Sequence, residues 1–171
     1  MSEIRNLDAD EARERIPELA LILFDCVANG ASVNFMNPFS MAEAVGFFAN
    51  VADSVANGDL VLFAAIENGR AVGTCQLVPS SKPNQPHRGE LAKMLVHTTH
   101  RKKGIGKLLL DAVDAEMKQR GLKLITLDTA SDDAERLYER CGYVRAGVIP
   151  KFALYPDGRY CDTVYYYKWF E

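Results

Sequence analysis

Apolar positions along the chain alternate between two spacings. Residues 3–7 carry the short extended pattern of a strand. From Asp8 the spacing becomes helical: Ile16, Leu19, Ala20, Leu23 and Val27 recur at three- and four-residue steps. Asp8 and Glu11 form a capping box at its start. The helix is expected to reach Ala28, with a break or kink near Ile16, because Pro17 cannot extend the hydrogen-bond ladder. Residues 30–38 read as a loop. Ser40 and Glu43 make a second capping box, opening a helix through Ala44, Phe47, Phe48, Val51 and Val55 that stops before Gly58.

From Leu60 the period shortens. Residues 60–66 and 71–78 are strand-like and flank Asn68-Gly69, a strong hairpin signal. A polar loop with Pro79, Pro83 and Pro86 leads to a strand over 90–96. Ile105, Leu108, Leu109, Ala112, Val113 and Met117 mark a long amphipathic helix ended by Gly121. A strand over 122–128 and a short helix over 132–140 follow, with Gly142 as C-cap. The last two strands flank the turn Pro156-Asp157-Gly158-Arg159; the second, over 163–170, is aromatic and reads as sheet packing. This order predicts an α/β (α+β) fold: a mixed, mostly antiparallel seven-stranded sheet with about four helices on its faces. Its one strand–long helix–strand unit should form a right-handed parallel crossover.

Composition narrows the function. A length of 171 residues suits one domain over 1–171. Hydrophobic residues at 48% exclude a disordered chain. A net charge of −3 argues against nucleic acid as a partner. No apolar run is long enough for a membrane span, and the first residues lack a leader pattern. Cys26, Cys75, Cys141 and Cys161 are widely spaced without a close pair, and His87, His97 and His100 have no ligand partners at metal spacing. No metal is expected. The cysteines read as free thiols in a reducing, cytoplasmic setting.

The stretch Arg101-Lys102-Lys103-Gly104-Ile105-Gly106 stands out, between a strand and the long helix. Its glycines let backbone approach a ligand, the helix start contributes about half a positive charge, and Lys107 adds to the basic cluster. These features suit a pyrophosphate. The spacing fails both the Walker pattern and G-x-G-x-x-G, since Leu stands at 109.

Arg-x-x-Gly-x-Gly after a strand resembles the acetyl-CoA motif of the GNAT superfamily of N-acetyltransferases. Residues 133–143, with Ala134, Leu137, Tyr138, Gly142 and Tyr143, resemble that family's second signature, one helix and one strand later. The resemblance implies that the fourth and fifth strands are parallel and splay around acetyl-CoA. Backbone groups of Met94, Leu95 and Val96 would then pair with the pantetheine like an added strand. The amides from Lys102 to Lys107, with Arg101 nearby, would hold the pyrophosphate. Ser131 stands where the family often has Asn near the pantetheine. Residues 30–36, 90–94, 127–129 and 156–159 further resemble the tabtoxin-resistance acetyltransferase branch, which acetylates an amino-acid-like β-lactam.

Amide formation needs a neutral amine, and an alkylamine has a pKa of about 10.4, so a proton acceptor is required. Glu90 and Asp128, at strand ends, are the candidates; Asp128 could equally hold the substrate ammonium. Tyr138 matches the family's general acid for the departing thiolate. Ser32, Asn34 and Phe35 lie on the loop expected over the acceptor. No cysteine is activated as a nucleophile, and Cys141 is expected to be buried, so transfer should be direct. The expected function is acetyl-CoA-dependent N-acetylation of a small amino-acid-like amine by a monomer or homodimer. A protein or peptide acetyltransferase and a non-catalytic acetyl-CoA-binding module remain as alternatives.

Overall fold

The computed structural model describes residues 2–171. β1 (Glu3–Leu7) leads into α1 (Ala9–Glu14) and α2 (Ile16–Ala28). Asp8 caps α1 through a complete capping box, and Pro17 occupies the first turn of α2. The expected break at Ile16 is therefore a full division into two helices, since Pro is tolerated only where no helical N–H is required. The described chain holds five α-helices, one more than expected.

Ser40 caps α3 (Met41–Ala56) with its own capping box. β2 (Val61–Glu67) and β3 (Arg70–Pro79) form the Asn68-Gly69 hairpin. β4 (Arg88–Val96) begins two residues earlier than its apolar pattern indicates, because Arg88 and Gly89 pair with β5. A single 3₁₀ turn (Thr98–His100) precedes α4 (Ile105–Gln119). β5 (Leu124–Thr129), α5 (Asp132–Arg140), β6 (Val144–Leu154) and β7 (Tyr160–Trp169) complete the order.

The seven strands lie in the order β1-β2-β3-β4-β5-β7-β6. β4 and β5 run parallel, and every other pair is antiparallel. One core fills the sheet face under α4 and α5, built on Leu91, Leu109, Val113, Ile125, Tyr138 and Tyr166. A second core fills the opposite face under α1, α2 and α3, built on Leu19, Leu23, Phe48, Leu62 and Ala64. The aromatic run splits as strand alternation requires: Tyr166 is buried in the first core, and Tyr167 is exposed on the other face.

Candidate active site

β4 and β5 pair only at Arg88–Leu124, Gly89–Ile125 and Glu90–Thr126. Beyond Glu90 they diverge, and a cavity of about 1140 Å³ occupies the gap. Its wall includes Met94, Leu95 and Val96 of β4, Gly104, Ile105 and Gly106 at the start of α4, and Tyr138 of α5. Glu90, Asp128, Ser131, Arg101, Lys102 and Lys107 also reach it, as do Ser32 and Asn34 of the α2–α3 loop. Two residues expected at the site lie off the wall. Lys103 is exposed beside it. Phe35 is wedged between Phe39 and Phe47, with ring centroids 4.7 and 5.4 Å away.

The basic turn is shaped to offer backbone donors. Gly104 is the α4 N-cap at φ +82, a left-handed value that suits glycine, and no side chain caps the helix. The first-turn N–H groups are thus left for a ligand. At Gly106 a Cβ would sit 2.7 Å from Leu137 Cδ2 and 3.2 Å from Met94 Cε, so α4, α5 and β4 converge only because that position lacks a side chain. Arg101 is also bonded within the protein: its Nε donates to the Val96 carbonyl (3.0 Å) and its Nη2 lies 3.4 Å from Cys26 Sγ. It anchors the turn to β4 and α2. Asp25 of α2, which the sequence did not single out, anchors the same turn by accepting from Thr98 N–H (2.7 Å) and Thr98 Oγ1 (2.8 Å). Lys107 is engaged with Asp111. Lys102 and Lys103 form no ion pair among the described residues. Donors and free positive charge together suit the pyrophosphate of acetyl-CoA.

The cavity passes through the sheet, and the two faces differ chemically. On the α4–α5 face, Tyr138 is 5% exposed, and its hydroxyl lies 3.8 Å from Met94 Sδ. Burial above all, with the Asp128 carboxylate a smaller cause, pushes its phenol well above the ordinary value, so it stays protonated at neutral pH. Ser131 caps α5, its Oγ accepting from Ala134 N–H (3.3 Å), which leaves its hydroxyl hydrogen for a ligand. Cys141 is half-buried on the wall, not buried as expected, because it follows the last turn of α5. Its thiol and that of Cys26 are pushed up by burial.

On the opposite face stand the carboxylates. Leu91, Ile125 and Leu127 belong to the α4–α5 core, so alternation turns Glu90 and Asp128 the other way. Asp128 accepts from Thr163 Oγ1 (2.8 Å), and Glu90 lies 3.9 Å from the Arg88 guanidinium. The Tyr165 phenol is raised by burial and then by both of these carboxylates, so all three groups converge.

A bulge adds a residue that the sequence did not single out. Thr74 pairs with Leu95 and Gln76 with Ala92, so Cys75 alone faces Lys93 and Met94. Lys93 takes a left-handed φ of +48. Strict alternation from Glu90 would place Met94 on the carboxylate face. Instead Met94 packs against the α4–α5 core, and Lys93 lies with its Nζ 5.9 Å from the Phe47 ring centroid on α3.

The α2–α3 loop closes this end. Ser32 Oγ donates to the Leu154 carbonyl (2.8 Å), Cys161 Sγ lies 3.4 Å from it, and Asn37 N–H donates to the Pro156 carbonyl (3.0 Å). Ser32 is thereby committed to fastening the loop to the β6–β7 hairpin.

A parallel strand pair thus opens around an uncapped helix start, with a protonated tyrosine on one side and carboxylates on the other. A family model described as the acetyltransferase (GNAT) family matches residues 29–143, more than half of the chain, and the protein belongs to that family. It is an acyltransferase with acetyl-CoA as donor. The fold is also that of solved structures at low sequence identity. An N-acetyltransferase from Staphylococcus aureus Mu50 superposes with TM-score 0.82 at 19% identity, covering 99% of this chain and 98% of that one. An acetyltransferase from Salmonella typhimurium, solved with acetyl-CoA, gives TM-score 0.79 at 18% identity, covering 100% and 95%. A phosphinothricin acetyltransferase from Sinorhizobium meliloti, solved with acetyl-CoA, gives 0.78 at 20%, covering 98% and 87%.

Proposed function

We propose that the protein moves the acetyl group directly to a primary amine of a small amino-acid-like molecule. The observation that carries this reading is the placement of Glu90 and Asp128 on one side of the β4–β5 gap and Tyr138 on the other. The four stretches that resemble the tabtoxin-resistance branch support it, since residues of each lie at the acceptor end: Ser32 and Asn34, Glu90 to Met94, Asp128 and Thr129, and the Pro156 carbonyl that anchors the loop.

In this mechanism the pyrophosphate rests on the amides from Lys102 to Lys107, and the pantetheine lies along Met94, Leu95 and Val96. Ser131 donates its remaining hydrogen to the pantetheine. The amine binds on the carboxylate face and loses a proton to Glu90 or Asp128, directly or through water. Its nitrogen attacks the thioester carbonyl and the C–N bond forms; as the C–S bond breaks, the nitrogen gives up its second proton, which the departing thiolate takes up. Tyr138 donates to the departing sulfur. The cavity thiols of Cys26 and Cys141 are held in their protonated forms, which supports transfer without an acetyl-enzyme.

The test is thiol release from acetyl-CoA with free amino acids, toxin-like dipeptides, aminoglycosides, polyamines and peptides as acceptors. Release with amino-acid-like amines is the expected result. Release with peptides or proteins alone would replace the small acceptor. Acetyl-CoA binding without release on any acceptor would leave a binding module.

A further inference from the structure

We propose that Lys93 sets acceptor specificity by binding an anionic group, a carboxylate, on the amine substrate, so that the enzyme selects zwitterions over simple amines. This inference rests on the small-amine reading above. Lys93 lines the cavity at its carboxylate end. It makes no hydrogen bond and no ion pair among the described residues; its Nζ sits over the Phe47 ring, 5.9 Å from the centroid. Burial lowers its pKa, and the Asp128 and Glu90 charges only partly oppose that. An aromatic face offsets only part of the cost of a half-buried ammonium, and here it is also held by a left-handed backbone that a non-glycine residue rarely adopts. Two unfavourable features at one cavity residue point to a ligand that offsets them.

The surrounding charges define that ligand. Glu90 and Asp128 suit an ammonium. Arg88 is already engaged, its Nε donating to Gln85 Oε1 (2.9 Å) and its Nη1 to Thr126 Oγ1 (2.9 Å). Among the described residues, Lys93 is the cation left beside Glu90 and Asp128 without an ion pair. With Arg88 and Lys93 balancing Glu90 and Asp128, the site is neutral and separates its charges, as a zwitterion does. A polyamine would bring a second cation to Lys93 and be repelled.

The test measures thiol release for paired acceptors that differ by one carboxylate, each amino acid against its decarboxylated amine. Wild type should prefer the carboxylated partner. Lys93→Met should lower kcat/KM for that partner roughly 10- to 100-fold, mainly through KM, the loss expected for one charged hydrogen bond. The decarboxylated partner should change by no more than about 2-fold, and Lys93→Arg should retain much of the preference. Lys93→Gln supplies the same contrast if the Met variant does not fold, with acetyl-CoA calorimetry reporting folding. Equal losses for both partners, or a wild-type preference for decarboxylated amines, would overturn the proposal. No thiol release from any small amine, wild type included, would sink the small-amine reading and this inference with it.

Discussion

A phenol that is 5% exposed, whose hydroxyl has the Met94 thioether as its hydrogen-bond partner among the described residues, has little access to water. Burial keeps Tyr138 neutral, which fixes it as a donor; the same burial makes it a reluctant acid toward a thiolate whose parent thiol has a pKa of about 8.5. In the proposed mechanism its contribution is therefore a hydrogen bond that strengthens as charge develops on sulfur. Tyr138→Phe should lower kcat roughly 10²-fold or more. Acetyl-CoA affinity by calorimetry should shift far less, and an unchanged kcat would remove Tyr138 from the chemistry. Lys93 makes the opposite prediction, for stability. Its pKa lies below the ordinary 10.5, chiefly through burial. Between the folded and unfolded values the unfolded chain binds more protons, so stability rises with pH across that window. Below the folded value the whole penalty is present. Lys93→Met should thus raise Tm at neutral pH by a degree or more, and its advantage should shrink as pH approaches about 10.5. Tyr138, Glu90 and Asp128 were legible as candidates because their motif or strand-end position marks them, and all three reach the cavity wall. Lys93 was not, since period-two alternation turns it away from Glu90 and nothing in Glu-Leu-Ala-Lys-Met signals a bulge. Phe35 was read as facing the acceptor because an aromatic in a loop looks available; its partners Phe39 and Phe47 are visible only in three dimensions.

The elements were the most legible level where local chemistry dictates them. Both capping boxes, the Asn68-Gly69 hairpin and the Pro17 break appear as the sequence indicates. The start of β4 and the 3₁₀ turn after it were not, because tertiary partners define them: Leu124 and Ile125 for β4, Asp25 for the turn. That dependence has a functional consequence. The basic turn is not a free loop, since Arg101 fastens it to the Val96 carbonyl and Asp25 holds Thr98 by two hydrogen bonds. Asp25→Ala would leave the Thr98 N–H without its carboxylate and let the 3₁₀ turn shift. Losing a charged acceptor costs roughly 1.5–3 kcal/mol, so the dissociation constant for acetyl-CoA should rise about tenfold or more. Asp25 touches no reacting group, and kcat at saturating acetyl-CoA should stay within about threefold of wild type. A fall in kcat with unchanged affinity would show that Asp25 acts on the chemistry instead.

The whole molecule is a sheet joined at its middle by three parallel pairs. β1 to β4 carry α1, α2 and α3, while β5, β7 and β6 carry α5. Between them run the Arg88–Leu124, Gly89–Ile125 and Glu90–Thr126 pairs, with α4 packed on β2, β3 and β4 and tied to β7 where Lys168 pairs with Asp114. The edge of β4 beyond Glu90 is left without a neighbouring strand, which is costly unless a ligand supplies the missing contacts. Acetyl-CoA lying along that edge would touch β4, the α4 start and α5 together, and so stiffen the join between the halves. At 100 times its dissociation constant the donor should add about 2.7 kcal/mol of stability. For a chain of this size that corresponds to roughly 5–10 °C in Tm. The distribution matters more than the total. Hydrogen exchange should slow at residues 91–96 and 102–107, and also across β5 and α5, which the pyrophosphate alone would not reach. Coenzyme A and acetyl-CoA should protect both sets, whereas inorganic pyrophosphate should protect the α4 turn only. Protection confined to residues 102–107 with full acetyl-CoA would mean that the ligand rests on the turn without entering the gap, and the through-sheet arrangement of donor and acceptor would fail with it.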